Sequence, residues 1–141
     1  MVPWCIIFLL FSGRERFIIV IGLGTDIVEI SRIKKAIENQ KFLERVYTEK
    51  EQEYCGGRGN SGAASFAGRF AAKEAVLKAF GTGLRDGKLT DIEIVNDELG
   101  CPKLNLYGFF TEKANEMGVI NSLVSISHCK EYAAAQCIME R

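Results

Sequence analysis

The first regular hydrophobic pattern in the chain covers residues 17–28. β-Branched apolar side chains fill this stretch and surround Gly22 and Gly24. Such a run is typical of a buried strand, and glycines favour tight turns. We therefore predict a strand over residues 17–28 that ends in a glycine-rich turn, with Asp26 at the end of the strand.

Helical spacing begins directly after this strand. In residues 29–39, Ile30, Ile33 and Ile37 fall on one face at 100° per residue, whereas Arg32 and Lys35 lie opposite, together with an asparagine. The same reasoning predicts further helices over residues 48–54, 63–80 and 110–117. We expect the isoleucines of the first helix to pack inward and its cations to face solvent.

Capping and turn residues sharpen these boundaries. Thr48 and Glu51 have the spacing of a capping box, and Gly81 and Gly83 end the alanine-rich helix before them. Strands are predicted over residues 92–95, 103–107, 123–127 and 132–138, the last two as a hairpin. Because strands and helices segregate more than they alternate, and no linker or repeat divides the chain, one α+β domain is expected.

Composition narrows the class of protein. The chain has 141 residues, with 48% hydrophobic and 26% charged side chains, as in an ordinary soluble globular domain. Its 18 basic and 18 acidic residues cancel, so the balance gives no electrostatic signature of nucleic-acid binding. The five cysteines are odd in number and form no CxxC pair, which favours reduced thiols in the cytoplasm over a zinc site or a disulfide framework.

The N-terminus departs from this picture. Residues 4–11 form an apolar run, far shorter than the roughly 20 residues that span a bilayer, so no membrane segment is predicted. The length suits the core of a signal peptide, but no basic residue precedes it. Residues 1–17 are therefore interpreted as an extension that arises from an upstream start or an artefact, with a signal and a genuine extra segment as alternatives. The domain proper is predicted over residues 18–141.

Two groups of residues are candidates for chemistry. Asp26 is a carboxylate beside glycines that let a ligand approach the backbone, so it could bind a hard cation; a turn or capping aspartate is the more common explanation. Glu74 and Lys78 lie one turn apart on the alanine-rich helix. They could be an exposed surface pair, but the apolar surroundings would require a carboxylate there to be compensated by a cation, a metal or hydrogen bonds.

Three segments carry a resemblance to a known family. They are residues 24–32 (GTDIVEISR), 69–79 (RFAAKEAVLKA) and 125–135 (SISHCKEYAAA). The first two resemble the two signatures of the holo-acyl-carrier-protein synthases, the small phosphopantetheinyl transferases, and the third looks like that family's terminal hairpin. The match runs from about residue 19 to residue 141, in order and at suitable spacing.

The resemblance implies both a fold and an activity. The fold would be that of a 4′-phosphopantetheinyl transferase, with a small antiparallel sheet, a long packed helix and one domain per subunit of a homotrimer whose sites lie between subunits. The activity would be Mg²⁺-dependent transfer of 4′-phosphopantetheine from coenzyme A to a serine of apo acyl carrier protein. Adenosine 3′,5′-bisphosphate would leave, and the product would serve fatty acid biosynthesis.

The resemblance also implies roles for residues of this chain. Asp26 and Glu74 would bind Mg²⁺ against the coenzyme A pyrophosphate, and Glu74 would be catalytic together with Lys78. Lys78 would be a charge partner or proton donor for the departing phosphate, since an ammonium is protonated at neutral pH. Arg69, Lys78 and His128 match positions that contact coenzyme A in the family.

A further implied role concerns the carrier protein. Carrier proteins of this kind are acidic, and Arg32 and Lys35 would dock them. The chain departs from the family at Asn39 and Phe42, where a more continuously basic docking helix is expected. This departure bears on the affinity for the carrier but not on the chemistry.

Other patterns point elsewhere and are weaker. Residues 57–62 match GxGxxG, but the segment before them reads as a charged helix and no βαβ unit surrounds them, so we interpret them as a loop. His128 and Cys129 are adjacent in an extended segment, where neighbouring side chains point to opposite faces and cannot pair. A non-enzymatic α+β binding module with structural acids is the remaining alternative.

Overall fold

A computed structural model describes residues 17–141 of the chain. The helices are α1 (Ile30–Ala36), α2 (Gln40–Val46), α3 (Glu49–Gly56), α4 (Gly62–Phe80) and α5 (Gly108–Met117). The strands are β1 (Val20–Glu29), β2 (Ile92–Asn96), β3 (Pro102–Leu106), β4 (Asn121–His128) and β5 (Tyr132–Glu140). The predicted α+β class is confirmed, and the apolar run at residues 4–11 lies outside the described residues.

The strands form two small antiparallel sheets. One has the order β1-β5-β4 and the other is the hairpin β2-β3. The predicted hairpin of the last two strands is confirmed, with Ile126 opposite Ala135 in its register. The same alanine lies opposite Asp26 on the other side. Since directly opposed residues on neighbouring strands point to the same side of a sheet, Asp26 and Ile126 lie on one face of the three-stranded sheet.

Helix α4 packs against that face and forms the centre of the core. Its alanines at helical spacing, including Ala71, Ala75 and Ala79, are buried. Gly22 and Gly24 face them from β1, and a Cβ at Gly24 would overlap the Ala75 carbonyl oxygen and come within 2.8 Å of the Ala79 nitrogen. Small residues on both elements therefore let the strand backbone lie directly on the helix.

The glycines were predicted to form a turn, and that interpretation is wrong. Gly22 and Gly24 lie inside β1, which continues to Glu29, so Asp26 is within the strand rather than at its end. The physical reason is the close approach to α4, which only a residue without a side chain permits. Glycine in a strand interior often marks such a contact, as it does here.

The helices match the predictions except near residue 40. Ile33 is buried in α1, and Arg32 and Lys35 are exposed, as expected. The helix ends at Ala36, however, and a separate helix α2 follows, capped by the Asn39 side chain. The predicted capping box of Thr48 and Glu51 is present at the start of α3. Gly81 ends α4 with a φ of 72°.

A buried ion pair joins α3 to α4. The Lys73 ammonium lies 2.7 Å from the Glu51 carboxylate, and both side chains are fully buried. Lys73 also donates to the carbonyls of Leu89 and Ile92, while Glu51 accepts from the Ile94 nitrogen. The network ties both helices to the β2-β3 hairpin. Within residues 17–141 no helix is long and apolar enough to cross a membrane.

Candidate functional site

Asp26 and Lys78 meet between the sheet and its packed helix. The Lys78 ammonium lies 2.8 Å from Asp26 Oδ1 and donates to the Thr25 carbonyl at 2.9 Å. The Asp26 side chain is 17% exposed, and that of Lys78 is 53% exposed. The sequence had paired Lys78 with Glu74 through helical spacing; the structure instead gives it a hydrogen-bonded partner on β1.

Glu74 completes a group of two acids and one cation. Its side chain is half-buried on α4, one turn before Lys78. Burial raises the pKa of the Glu74 carboxyl, and the negative charge of Asp26 raises it further, whereas the Lys78 charge lowers it. Both carboxylates lie near Lys78 at the β1–α4 contact, since Lys78 donates to Asp26 and follows Glu74 by one helical turn.

The donors in this group suit one kind of metal. Asp26 and Glu74 offer carboxylate oxygens, which hard cations such as Mg²⁺ prefer. In the described part of the chain, no group of three or more His, Cys, Asp or Glu side chains is arranged to hold a metal ion. Two carboxylates fit Mg²⁺, which commonly takes one or two from the protein and fills its other positions with water and phosphate oxygens.

The two lysines that flank Glu74 have different environments. Lys73 is fully buried in its ion pair with Glu51, and burial lowers the pKa of its ammonium group while the Glu51 charge opposes that shift. Lys78 is exposed and lies beside Asp26. Only Lys78 is therefore accessible to a ligand at the acids. Sequence reasoning missed the Glu51–Lys73 pair. A lysine in a helix is usually a surface residue, and nothing in the sequence distinguishes Lys73 from one.

Arg69 lies on another side of α4. It is only 5% exposed, donates to Asn96 Oδ1 at 2.8 Å, and its guanidinium carbon lies 4.2 Å from the centre of the Tyr54 ring. Its Nε has no hydrogen-bond partner among the described residues. Five positions along a helix correspond to about 140° of rotation, so Arg69 and Glu74 face different directions. The structure does not bring these two residues together.

His128 lies at a third place, the end of β4. It lines a cleft of about 730 Å³ between the β4-β5 turn, α1 and the start of α4. Polar side chains around this cleft include Ser31, Lys34, Asn60 and Lys130. The cleft does not include Asp26, Glu74 or Lys78. Within one chain the predicted residues therefore occupy three separate regions, rather than one closed pocket.

The competing motifs find no support in the geometry. The GxGxxG stretch at residues 57–62 follows helix α3 and leads through a short 3₁₀ turn into α4, so no strand precedes it. A dinucleotide fingerprint needs a strand–turn–helix arrangement. No hydrogen bond joins His128 to Cys129 in the described structure, and Cys129 lies in the turn after β4.

Comparison with known proteins decides the family. Residues 22–137 match the model of the 4′-phosphopantetheinyl transferase superfamily, and the matched region contains most of the sheet, all of α4 and the group of Asp26, Glu74 and Lys78. The chain belongs to this superfamily. Within it, the chain is 49% identical over 122 residues to the holo-[acyl-carrier-protein] synthase of Clostridium tetani, covering 86% of this chain and 96% of that protein.

Solved structures of the superfamily agree in fold. The holo-[acyl-carrier-protein] synthase of Neisseria meningitidis superposes with a TM-score of 0.79 at 32% identity, covering 87% of this chain and 100% of that one. The enzyme of Helicobacter pylori, solved in complex with coenzyme A, gives a TM-score of 0.73 at 32% identity and covers 83% and 98%. The expected family and fold are both confirmed.

Proposed function

We propose that this protein is a holo-[acyl-carrier-protein] synthase. It transfers 4′-phosphopantetheine from coenzyme A to a serine of apo acyl carrier protein, in support of fatty acid biosynthesis. The observation that carries this function is the match to relatives of that name over nearly their whole length, with the Asp26, Glu74 and Lys78 group inside the matched region. A related structure contains coenzyme A, which supports it as the substrate.

The reaction breaks the phosphoanhydride bond in the pyrophosphate of coenzyme A and forms a phosphodiester bond to the carrier serine. The serine oxygen attacks the phosphorus that carries pantetheine, and the bond from that phosphorus to the bridging oxygen breaks. Adenosine 3′,5′-bisphosphate leaves. Transfers of this kind depend mainly on in-line positioning and on cationic stabilisation of the developing charge.

Each residue of the β1–α4 group has a role in this scheme. Asp26 and Glu74 would hold Mg²⁺, which when bound would supply positive charge to the pyrophosphate oxygens. Lys78 provides the nearby cation, because its ammonium is exposed and lies on the same side of α4 as the acids. It stabilises charge on the phosphate that departs with the nucleotide.

Coenzyme A would extend beyond this group to Arg69 and His128. These residues lie apart within one chain and share no closed pocket, which favours a site that a second copy completes. The outer face of the three-stranded sheet supports such an assembly, since it exposes Leu23, Ile27 and Leu123 by 64%, 66% and 51%. Exposed apolar patches of this kind mark interfaces. We propose a homotrimer formed through this face, with sites between subunits; its mass in solution, measured by light scattering, tests it.

The carrier protein would dock on α1. Arg32 and Lys35 are exposed there, while Ile33 packs into the core, so the cations can meet an acidic partner without loss of packing. The proposed location is the cytoplasm, which the free thiols of four described cysteines support.

Intact mass spectrometry of the carrier protein tests the activity. The protein is incubated with coenzyme A, Mg²⁺ and apo acyl carrier protein, and we expect the carrier to gain the mass of one phosphopantetheinyl group. A carrier whose acceptor serine is replaced by alanine is the control and should gain nothing. A parent carrier that stays unmodified, while a known synthase modifies it in parallel, would exclude the proposed function.

A further inference from the structure

Asp26 already has a cationic partner within the chain. The Lys78 ammonium is hydrogen-bonded to Asp26 Oδ1 at 2.8 Å and to the Thr25 carbonyl at 2.9 Å. The Asp26 side chain is 17% exposed, so much of the space around its oxygens is occupied by protein. An ammonium at this position satisfies the same oxygen that a hard cation would approach.

The charges of this group disfavour binding of the Lys78 ammonium and a divalent cation to Asp26 at the same time. Asp26 and Glu74 carry two negative charges when ionised, and Lys78 offsets one of them. A divalent cation between the acids would neutralise both and would repel an ammonium held a few ångströms away. The ammonium would then lose its attraction to Asp26 and be available to another anion.

We propose that Lys78 is a replaceable cation, which occupies Asp26 in the metal-free protein and leaves it when a divalent cation binds. The proposal rests on the function proposed above and adds a step to it. The exchange frees Lys78 at the moment when Mg²⁺ and the pyrophosphate arrive, so the same ammonium then contacts phosphate oxygens. Binding of the metal and release of the Lys78 ammonium to the phosphate thus occur together.

The mobility of Lys78 makes this exchange feasible. Its side chain is 53% exposed, and ion pairs with such exposure contribute little to stability. A lysine has a flexible four-carbon stem, so its ammonium can move while the helix backbone stays in place. Lys73, five positions earlier, provides the contrast: its fully buried ammonium is held by Glu51 and two carbonyls and cannot exchange in this way.

Direct metal binding tests the proposal without any turnover. The affinity of the full chain for Mn²⁺, used as a spectroscopic probe for the Mg²⁺ site, is measured by electron paramagnetic resonance in the absence of coenzyme A. Lys78→Met should bind Mn²⁺ roughly two- to fivefold more tightly than the parent, on the scale of an exposed ion pair. Lys41→Met, which removes one exposed positive charge on α2, controls for net charge and should bind like the parent.

The variants separate failure of the exchange from failure of the metal site. If Asp26→Asn binds Mn²⁺ as well as the parent, Asp26 is not a metal ligand and the proposed Mg²⁺ site itself is wrong. If Asp26→Asn binds weakly but Lys78→Met binds no more tightly than the parent or Lys41→Met, the site stands and the exchange is refuted. Absence of detectable binding in both the parent and Lys78→Met at several millimolar Mn²⁺ also refutes the exchange.

Labelling of the parent protein gives a second test, which decides the matter if Lys78→Met does not fold. Lysine amines are acylated with a limiting reagent, with and without Mg²⁺, and modification is quantified by peptide mass spectrometry. Release from Asp26 should raise labelling of Lys78 about twofold or more, on the same ion-pair scale, while that of Lys41 stays constant. Unchanged labelling of Lys78 at saturating Mg²⁺ contradicts the proposal.

Discussion

At the scale of single residues, the Glu51–Lys73 pair is the shortest ion pair among the described residues, at 2.7 Å. Both side chains are fully buried, and each makes further hydrogen bonds to the β2-β3 hairpin or its approach. Removal of one partner from a buried pair leaves the other charge without compensation. The pair therefore determines which side of α4 faces the hairpin. Lys73 directly precedes Glu74, so the pair also helps to set the direction of Glu74.

Lys73→Met should lower the free energy of unfolding by about 3–5 kcal/mol, the range for a buried pair that loses one member. Denaturant unfolding measures this change. Lys50→Met is the matched control, because Lys50 lies 3.8 Å from Glu93 but is 70% exposed. It should cost less than about 1 kcal/mol. Equal losses of unfolding free energy in the two variants would mean that the buried ion pair contributes no more to stability than the exposed one.

The residue-level chemistry could be predicted only in part. Helical spacing correctly put Glu74 and Lys78 on neighbouring turns of one helix, because that relation is local. The hydrogen bond from Lys78 to Asp26 joins residues far apart in sequence, and periodicity carries no information on it. The resemblance supplied Asp26 and Glu74 as a pair, and their electrostatic coupling is consistent with that prediction. Their metal-binding role stays a prediction.

At the scale of elements, the contact between β1 and α4 positions the acids. Gly24 lies against the α4 backbone, and Asp26 follows two residues later on the same face of the strand. A side chain at Gly24 would force the strand away from the helix, since the obstacle is backbone rather than a flexible side chain. The distance between strand and helix thus controls how closely Asp26 approaches Glu74 and Lys78.

Gly24→Ala should destabilise the fold by about 1–3 kcal/mol, as overpacking of a core does, and should weaken Mn²⁺ binding. Thermal unfolding and metal titration measure the two effects. Gly56→Ala is the control, because a Cβ there would meet nothing within 4 Å. That variant should be neutral or slightly stabilised. A Gly24→Ala protein with parental stability and Mn²⁺ affinity would show that the close contact is not required.

Elements with clear periodicity or capping signals were predicted well, whereas α2 was not. α4 and the β4-β5 hairpin match their predicted ranges closely, because long apolar patterns specify them. α2 has only seven residues and was missed. Helices this short depend on tertiary packing rather than on intrinsic propensity, so the sequence alone gives little signal. Its clearest local sign is Asn39, whose side chain accepts hydrogen bonds from the nitrogens of Lys41 and Phe42.

At the scale of the whole molecule, the zero net charge conceals a local basic surface. Arg32 and Lys35 are exposed on α1, and further exposed cations follow on α2. Charges at the rim of an interface act mainly on association and are screened by salt. An acidic carrier protein would therefore be attracted to α1 despite the neutral total. The role of residues 1–17 stays a prediction, since nearly all of them lie outside the described structure.

Reversal of both charges, Arg32→Glu with Lys35→Glu, should raise the Michaelis constant for the carrier protein several-fold at low salt. The Michaelis constant for coenzyme A should change much less, and the difference should shrink as salt rises. Arg85→Glu with Lys88→Glu reverses two exposed cations elsewhere and controls for net charge. If both double variants lose carrier affinity equally, α1 is not the specific docking surface.

The Mg²⁺ dependence of phosphopantetheinyl transfer tests most directly whether Asp26 and Glu74 form the catalytic metal site. Transfer rates are measured against Mg²⁺ concentration for the parent, Asp26→Asn, Glu74→Gln and the exposed α5 control Glu112→Gln. We predict that each site variant loses at least roughly tenfold in rate at limiting Mg²⁺, the scale for a disrupted metal ligand set, whereas the control keeps the parental curve. A parental Mg²⁺ curve for either site variant would contradict the assignment of that residue.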